Sequence, residues 1–255
     1  MNDDTTLQFL VGTTDDGRTV YGDFGETGHF IAVGTTGSGL ASYSEGAFVT
    51  SLIEKYTPNE LQLVMIDPKQ VQLTPYVTIP HLWRPIAQTP SDADTAVTDL
   101  LDEIDRRFDL LVKAGVINIG EYNAQPNQKL PFIILICTEI ADLIMVNKPL
   151  YERVFDRIWM VGRAVGIHMF IATQSTSEDV LRDGLLGGVS GRLLFKVHSA
   201  LESERLIGET GAEKIKEAGR LLYSESPGLH LVDVKAAYVT DEEIMNIVNS
   251  LKEPM

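Results

Sequence analysis

A glycine-rich segment carries the clearest chemical pattern in this sequence. Its glycines have the spacing of the phosphate-binding loop G-x-x-x-x-G-K-[ST], whose backbone N–H groups surround phosphates while its lysine reaches the β- and γ-phosphates and its hydroxyl binds magnesium. The segment consists of Gly34, Thr35, Thr36, Gly37, Ser38, Gly39, Leu40 and Ala41. Leu40 replaces the lysine and Ala41 replaces the hydroxyl residue. The pattern by itself therefore favours a strand-to-helix turn without a ligand.

A second candidate lies at the end of a later apolar segment. Nucleotide hydrolysis needs an acidic residue for magnesium and, beside it, a base that aligns water. Glu139 stands where that base would be, and Thr138 stands where the aspartate that binds the metal would be. A neutral hydroxyl is a weak substitute beside a divalent cation. Glu139 could equally be a carboxylate that interacts with the dipole at a helix start.

The elements that would position these residues follow from hydrophobic periodicity. Short runs rich in Ile, Val and Leu predict buried parallel strands over 29–34, 61–67, 132–138 and 167–172. Further strands are expected over 192–197, 220–223 and 229–237, and a hairpin over 7–11 and 19–23 around the turn 15–17.

Helical patterns alternate with these strands. They cover 91–114, with Ser91 as the N-cap, 149–165 and 241–251. Strands that alternate with helices indicate an α/β fold with a mostly parallel sheet, helices on both faces and an N-terminal β-hairpin.

Composition narrows the class of protein. The chain has 255 residues and a net charge of −15, which disfavours non-specific binding of nucleic acid because Lys and Arg hold phosphate backbones. Cys137 is the sole cysteine, so an intrachain disulfide framework is excluded. No apolar run reaches the length of a membrane span, and the acidic start is unlike a signal peptide. We expect a cytoplasmic protein, and we expect His168 and Cys137 to be core residues.

Several segments together resemble a known family. They are 63–69, 79–82, 103–108, 120–123, 163–168, 172–174, 211–213 and 237–241. In this order they resemble the FtsK/SpoIIIE family of hexameric double-stranded DNA translocases. The resemblance implies a RecA-like P-loop NTPase core, with 1–255 as a single motor domain, 1–28 as its strand-rich lead-in and 29–255 as its core. It also implies that the family's membrane anchor, preceding domain and winged helix are missing.

The resemblance assigns roles to individual residues. The glycine spacing of the loop from Gly34 to Gly39 matches that of the family. Glu139 matches the catalytic glutamate, and Gln174 matches the polar residue that senses the γ-phosphate. Arg163 stands where family members carry an arginine near the subunit boundary, although a surface helix arginine is an equal alternative. Departures from the family pattern occur at Leu40, Ala41, Thr138, Ser175, Thr176, Leu186, Gly188, Glu204 and Arg220.

These departures predict a pseudo-ATPase. ATP and magnesium, which the family implies, are expected to bind weakly or not at all, and no metal site is expected. Such a domain would serve assembly or regulation in a ring of similar subunits or in a larger translocation or secretion machine. The isolated chain is expected to bind duplex DNA weakly or not at all. Other domains or partners could recruit it to the inner face of a membrane without direct insertion.

The sequence leaves alternatives open, including whether the chain is an enzyme. One is an active ATP-dependent DNA translocase whose motifs are compensated, for example through Asp67 or a lysine of a neighbour. Another is a protein- or peptide-binding module of a secretion or conjugation machine, which an apolar groove near the helix after Gly39 would favour. Deliberate replacement of Leu40, Ala41 and Thr138 is a further alternative.

Overall fold

The computed structural model describes residues 6–228 and 230–251. Within these ranges, nine strands form one sheet. They are β1 Gln8–Thr13, β2 Thr19–Asp23, β3 Phe30–Val33, β4 Leu61–Ile66, β5 Phe132–Cys137, β6 Ile167–Thr173, β7 Gly191–Leu194, β8 Arg220–Ser224 and β9 Val232–Ala236. The predicted lead-in 1–28 and the predicted strand 229–237 both include residues outside the described ranges.

The longer α-helices are amphipathic. The α-helices are α1 Phe24–Thr27, α2 Leu40–Ser42, α3 Phe48–Lys55, α4 Pro90–Ala114, α5 Ile119–Asn123, α6 Ile140–Arg157, α7 Arg163–Val165, α8 Asp183–Gly188, α9 Ala200–Ile207 and α10 Asp241–Ser250. π-helical segments join α2 to α3 at Tyr43–Ala47, and α6 to α7 at Ile158–Gly162. Among the described helices, none has the length and apolar character that crossing a bilayer requires.

The strand order explains where a site can form. It runs β2-β1-β9-β8-β7-β3-β6-β5-β4. From β7 to β4 all neighbours are parallel, whereas the pairs from β7 to β2 are antiparallel. The predicted α/β class and N-terminal hairpin are confirmed, with a larger antiparallel part than expected. The carboxyl ends of β3, β6, β5 and β4 meet at one edge of the sheet.

The antiparallel part curls back over one face. β1 is four places from β3 in the sheet, yet the Phe9 ring lies 4.8 Å from the Phe30 ring. Phe48 of α3 fills the space between, 5.0 Å from Phe9 and stacked at 3.7 Å on Phe170 of β6. Each buried phenylalanine contributes about 1.5–3 kcal/mol of hydrophobic stabilisation. This aromatic cluster fixes the helix that follows the glycine loop.

Apolar side chains cover both faces of the sheet. One core includes Leu100 of α4 and Val154 of α6, and the other includes Leu52 of α3 and Val248 of α10. Helices therefore pack on both faces, as predicted. Cys137 is buried in the first core, and His168 is buried as well.

Two helix starts differ from the sequence-based expectation. Thr89, not Ser91, caps α4, because its hydroxyl accepts the Asp92 N–H at 3.1 Å and Pro90 fits the first turn, where a missing N–H costs nothing. The helix predicted over 149–165 begins earlier, at Ile140. Asn147 has a non-helical φ of −146°, and this interruption accommodates Pro149 within α6.

Candidate nucleotide-binding site

The glycine loop follows β3 and leads into α2, and two of its glycines are required by its geometry. Gly37 and Gly39 have φ angles of 78° and 95°, which disfavour residues with a side chain. A Cβ atom on Gly39 would lie 2.5 Å from the Gly219 nitrogen. A Cβ atom on Gly34 would lie 2.5 Å from Cβ of Phe195. Glycine is therefore required at these positions by backbone conformation or by close packing.

Backbone contacts hold this loop in place. The Thr35 N–H donates to the Lys196 carbonyl at 2.8 Å, and the Ser38 carbonyl accepts the Gly219 N–H at 2.8 Å. By contrast, the N–H groups of Thr36, Gly37 and Gly39 make no hydrogen bond to any described residue. The loop thus retains donors for an anion, which is the part of a phosphate site that backbone alone supplies.

The two replaced positions contribute no charge and no metal ligand. Leu40 is only 3% exposed and packs in the core with the Tyr43 ring and the α3 helix. Ala41 has no oxygen in its side chain. Position 40 accordingly supplies no cation for the phosphates, and position 41 supplies no hydroxyl for magnesium.

A chain of polar contacts connects the loop to the neighbouring strand ends. The Thr36 hydroxyl donates to the Gln174 side-chain oxygen at 2.7 Å. The Gln174 N–H donates to Glu139 Oε2 at 3.3 Å, and the Thr173 hydroxyl donates to Glu139 Oε1 at 2.6 Å. Glu139 also caps α6 through the Ala141 N–H at 3.4 Å. It therefore faces the loop side and caps a helix at the same time.

The turn after β4 completes this edge of the sheet. Gln72 accepts a hydrogen bond of 3.1 Å from the Thr138 hydroxyl, and the Lys69 ammonium lies 3.9 Å from Glu139 Oε2. Asp67 anchors the turn because its Oδ2 accepts the Leu73 N–H at 2.9 Å. Neither Lys69 nor Gln72 is among the site residues predicted from the sequence. The sequence feature that could have indicated Lys69 is its position two residues after Asp67, the acidic residue that follows β4.

Carboxylates crowd the same region. Glu45, in the π-helical segment after the loop, has its pKa raised to about 7, mainly by burial and also by the nearby Asp67 charge, while Lys69 acts in the opposite direction. Asp67 is fully buried, and its Oδ1 atom has no hydrogen-bond partner among the described residues. The region consequently carries more negative than positive charge.

Magnesium does not fit the residues present. Thr138 gives its hydroxyl hydrogen to Gln72, and Leu40 and Ala41 offer no oxygen ligand. Across 6–228 and 230–251, no group of three or more His, Cys, Asp or Glu residues could hold a metal ion. The three replaced positions, Leu40, Ala41 and Thr138, thus provide no carboxylate, the ligand that a hard divalent cation prefers.

Arg163 lies away from these residues. It is exposed at the start of α7, just before β6 begins, so it lies at the opposite edge of the sheet from Gln174, which follows the end of β6. There it lines a cavity of about 480 Å³ with Asn118, Met160 and His168. The structure thus brings Gln174 to the loop and Glu139 to Gln174, but it does not bring Arg163 there.

A cavity of about 470 Å³ adjoins the other side of the loop. Gly39, Ser42 and Tyr43 contribute one wall, and Gly219, Lys235 and Tyr238 are among the residues opposite. The Tyr238 ring is 71% exposed. Tyr238 thus gives this cavity beside the glycine loop an aromatic wall.

Other residues that depart from the family pattern make contacts that stabilise the fold. Thr176 donates to Glu202 at 2.8 Å, and Arg220 pairs with Asp15 at 2.6 Å and with Asp233 at 2.8 Å. Gly188 ends α8 against the Trp159 ring, where a Cβ atom would lie 2.4 Å from Cδ2. Nothing in the structure explains the charge of Glu204.

The fold and the site together define a class of protein. A parallel strand, a glycine loop and a helix, with polar side chains at the ends of the adjacent parallel strands, are the elements of a P-loop nucleotide-binding motor domain. The sequence profile of the FtsK/SpoIIIE family matches residues 1–129 and 123–178. The chain belongs to the FtsK/SpoIIIE family.

Individual relatives agree with this assignment. The chain is 34% identical over 256 residues to DNA translocase FtsK of Streptococcus pneumoniae, covering 96% of this chain and 33% of that protein. It is 34% identical over 262 residues to DNA translocase FtsK of Oceanobacillus iheyensis, covering 99% of this chain and 33% of that protein. The chain therefore spans about a third of the length of the curated relatives that it matches.

Solved structures share the fold at lower sequence identity. The cytoplasmic domain of the Thermomonospora curvata type VII secretion ATPase EccC superimposes with a TM-score of 0.81 at 23% identity, covering 98% of this chain and 32% of that one. The pCW3 conjugation coupling protein TcpA, in its monomer form with ATPγS, also gives 0.81 at 23% identity, covering 99% of this chain and 72% of that one.

Proposed function

We propose that this chain is a translocase-type motor domain that has lost ATP hydrolysis and serves assembly or regulation. The observation that carries the proposal is the state of three positions at the nucleotide site. Leu40 is packed in the core, Ala41 lacks a ligand atom, and the Thr138 hydroxyl is bonded to Gln72. Phosphoryl transfer depends on positioning and charge stabilisation, so the loss of these charges lowers the rate more than the affinity.

The features of the nucleotide site that are still present support a scaffold role. The loop still presents backbone donors, Gln174 still contacts the loop and Glu139 contacts Gln174, and the cavity beside Gly39 could hold a nucleobase. ATP then binds weakly, with an affinity that magnesium does not restore. Arg163, at the far edge of the sheet, would act on a neighbouring subunit of a ring, beside active subunits or within a larger secretion or translocation machine.

Duplex DNA is not expected to bind the isolated chain. The net charge of −15 opposes a polyanion, and α8 contributes Leu186 and Gly188 where the family carries polar residues. Cellular partners of this domain would then be proteins of the machine. A gel shift that shows nanomolar retardation of duplex DNA at physiological salt would contradict this part of the proposal.

The decisive experiment combines mant-ATP titration with a phosphate-release assay in the presence of magnesium. We expect weak binding and no turnover above background. The matched variant carries Leu40→Lys, Ala41→Thr and Thr138→Asp together, and it should bind mant-ATP more tightly, in a magnesium-dependent manner. Micromolar affinity with turnover of about one per second or more in the unmodified chain would refute the proposal.

A peptide-binding role is the second candidate. The cavity next to the helix after Gly39 has a largely small and apolar lining that includes Ala218, Ala236 and Ala237. One solved relative of similar fold, Thermomonospora curvata EccC, is described as a complex with a signal sequence peptide. Peptide binding that is lost on Ala237→Trp, with mant-ATP binding retained, would favour this role.

An active translocase has less support. The compensating residue considered from the sequence was Asp67, whose carboxylate is buried and holds the Leu73 N–H. One of the two Asp67 carboxylate oxygens is therefore already hydrogen-bonded within the turn after β4.

A further inference from the structure

The turn between β4 and the short helical segment Thr74–Tyr76 brings two side chains into contact with the residues that follow β5. Gln72 bonds to Thr138, and the Lys69 ammonium lies 3.9 Å from Glu139 Oε2. No other lysine or arginine among the described residues forms an ion pair with Glu139. Thr138 stands where the family has its metal-binding aspartate. The Gln72 amide and the Lys69 ammonium therefore lie next to that position.

The backbone of this turn is fixed, whereas the Lys69 side chain is not. The Asp67 carboxylate accepts the Leu73 N–H at 2.9 Å, and the Asp67 carbonyl accepts the Gln70 N–H at 3.1 Å. The Lys69 side chain is 42% exposed and carries its charge on a flexible four-carbon stem. The ammonium can therefore move from Glu139 towards an anion without any change in the backbone.

The same ammonium is adjacent to the polar contacts that end in the glycine loop. Glu139 accepts the Gln174 N–H, and the Gln174 side chain accepts the Thr36 hydroxyl. The free N–H groups of Thr36 and Gly37 mark where a phosphate would sit. Lys69, which contacts Glu139, supplies a cation at the other end of this series of contacts.

We propose that Lys69 is the cationic partner of a nucleoside triphosphate held by this loop and replaces the divalent metal, so that the chain binds polyphosphate independently of magnesium. This inference rests on the proposed function, because it describes the weak binding that remains after hydrolysis is lost. It also assigns a role to a residue outside the glycine loop.

Nearby negative charge limits the affinity but does not abolish it. The Asp67 carboxylate is held by the Leu73 N–H, and Glu45 has a pKa near neutrality. Part of the Glu45 population is therefore uncharged at neutral pH. The arrangement predicts weak binding through one mobile cation, and it predicts that Glu45→Gln tightens the binding.

The test measures mant-ATP and tripolyphosphate binding with excess magnesium and with EDTA. We expect the unmodified chain to bind equally under both conditions. Lys69→Met should weaken binding about tenfold or more, the size expected for one charge-assisted contact, and Lys69→Arg should restore part of it. Lys129→Met is the matched control, because Lys129 precedes β5 at the opposite edge of the sheet. Urea unfolding of each variant checks that the fold is intact.

Four results would overturn the inference: no measurable binding in EDTA, clear tightening by magnesium, no effect of Lys69→Met, or an equal loss in Lys235→Met, which changes the lysine beside Gly39. Phosphate release separates the two proposals. ATP turnover by the unmodified chain contradicts the proposed function. If there is no turnover and Lys69→Met binds ATP as well as the unmodified chain, only this inference is contradicted.

Discussion

The Thr36 hydroxyl donates a hydrogen bond of 2.7 Å to the side-chain oxygen of Gln174, which lies 138 residues further along the chain. This contact joins the loop after β3 to the end of β6. Glu139 and Lys69 continue the contacts to the ends of β5 and β4. The polar residues thus follow the strand order β3-β6-β5-β4, so the parallel sheet itself assembles the site.

Gly39→Ala should destabilise the chain more than Gly37→Ala. Both residues have positive φ angles, so each substitution costs about 1–2 kcal/mol of unfolding free energy for backbone strain. Only at Gly39 does the new Cβ atom also meet backbone, 2.5 Å from the Gly219 nitrogen, which adds about 1–3 kcal/mol. Urea unfolding of both variants measures the difference. Equal losses would show that the loop does not pack against Gly219.

Two neighbouring glycines of α8 should respond in opposite directions. A Cβ atom on Gly188 would lie 2.4 Å from the Trp159 ring, so Gly188→Ala should cost about 1–3 kcal/mol. Around Gly187 there is open space, and Gly187→Ala should stabilise the helix by about 0.4–1 kcal/mol. Thermal and urea unfolding of the pair test this. If Gly188→Ala is as stable as Gly187→Ala, α8 does not pack on Trp159.

Acid should destabilise the fold through two buried histidines. Burial, as the main cause, lowers the pKa of His29 to about 3 and that of His168 to about 4, from an ordinary 6.5. Because the unfolded chain binds these protons more readily, their contribution to stability is complete above pH 6.5 and is lost as the pH falls towards these values. Between pH 7 and pH 5 the loss is about 2 kcal/mol for each histidine.

Urea unfolding at both pH values measures this loss. His168→Gln should reduce it, whereas His198→Gln should leave it unchanged because His198 is exposed. A loss that is the same in His168→Gln as in the unmodified chain would contradict the assignment.

Glu45→Gln should stabilise the chain at high pH. The pKa of Glu45 is raised to about 7, above its ordinary value of 4.5, so its contribution is fully present below pH 4.5 and is lost as the pH rises through 7. At pH 8 the glutamine variant should be more stable by about 1–3 kcal/mol, and the difference should shrink towards pH 5. Exposed Glu54→Gln is the control. A difference that does not depend on pH would rule out this titration.

Local sequence patterns anticipated much of the fold. Short apolar runs predicted the parallel strands, a turn signal predicted the hairpin, and period-3.6 patterns predicted α4 and α10, all near their observed positions. They missed the true start of α6, because Pro149 is a local break signal that the non-helical Asn147 accommodates. They also missed α9, although Ser199 and Glu202 form the capping box that marks its start.

What the sequence determined by itself was the class of fold and the three replacements at positions 40, 41 and 138, because glycine spacing and residue type are local properties. Only the tertiary structure decided that Lys69 and Gln72 reach the ends of β5 and that Arg163 lies at the opposite edge. The physical reason is that neighbours in a parallel sheet are distant in the chain. Strand order, which no local pattern encodes, selects which strand ends share a site.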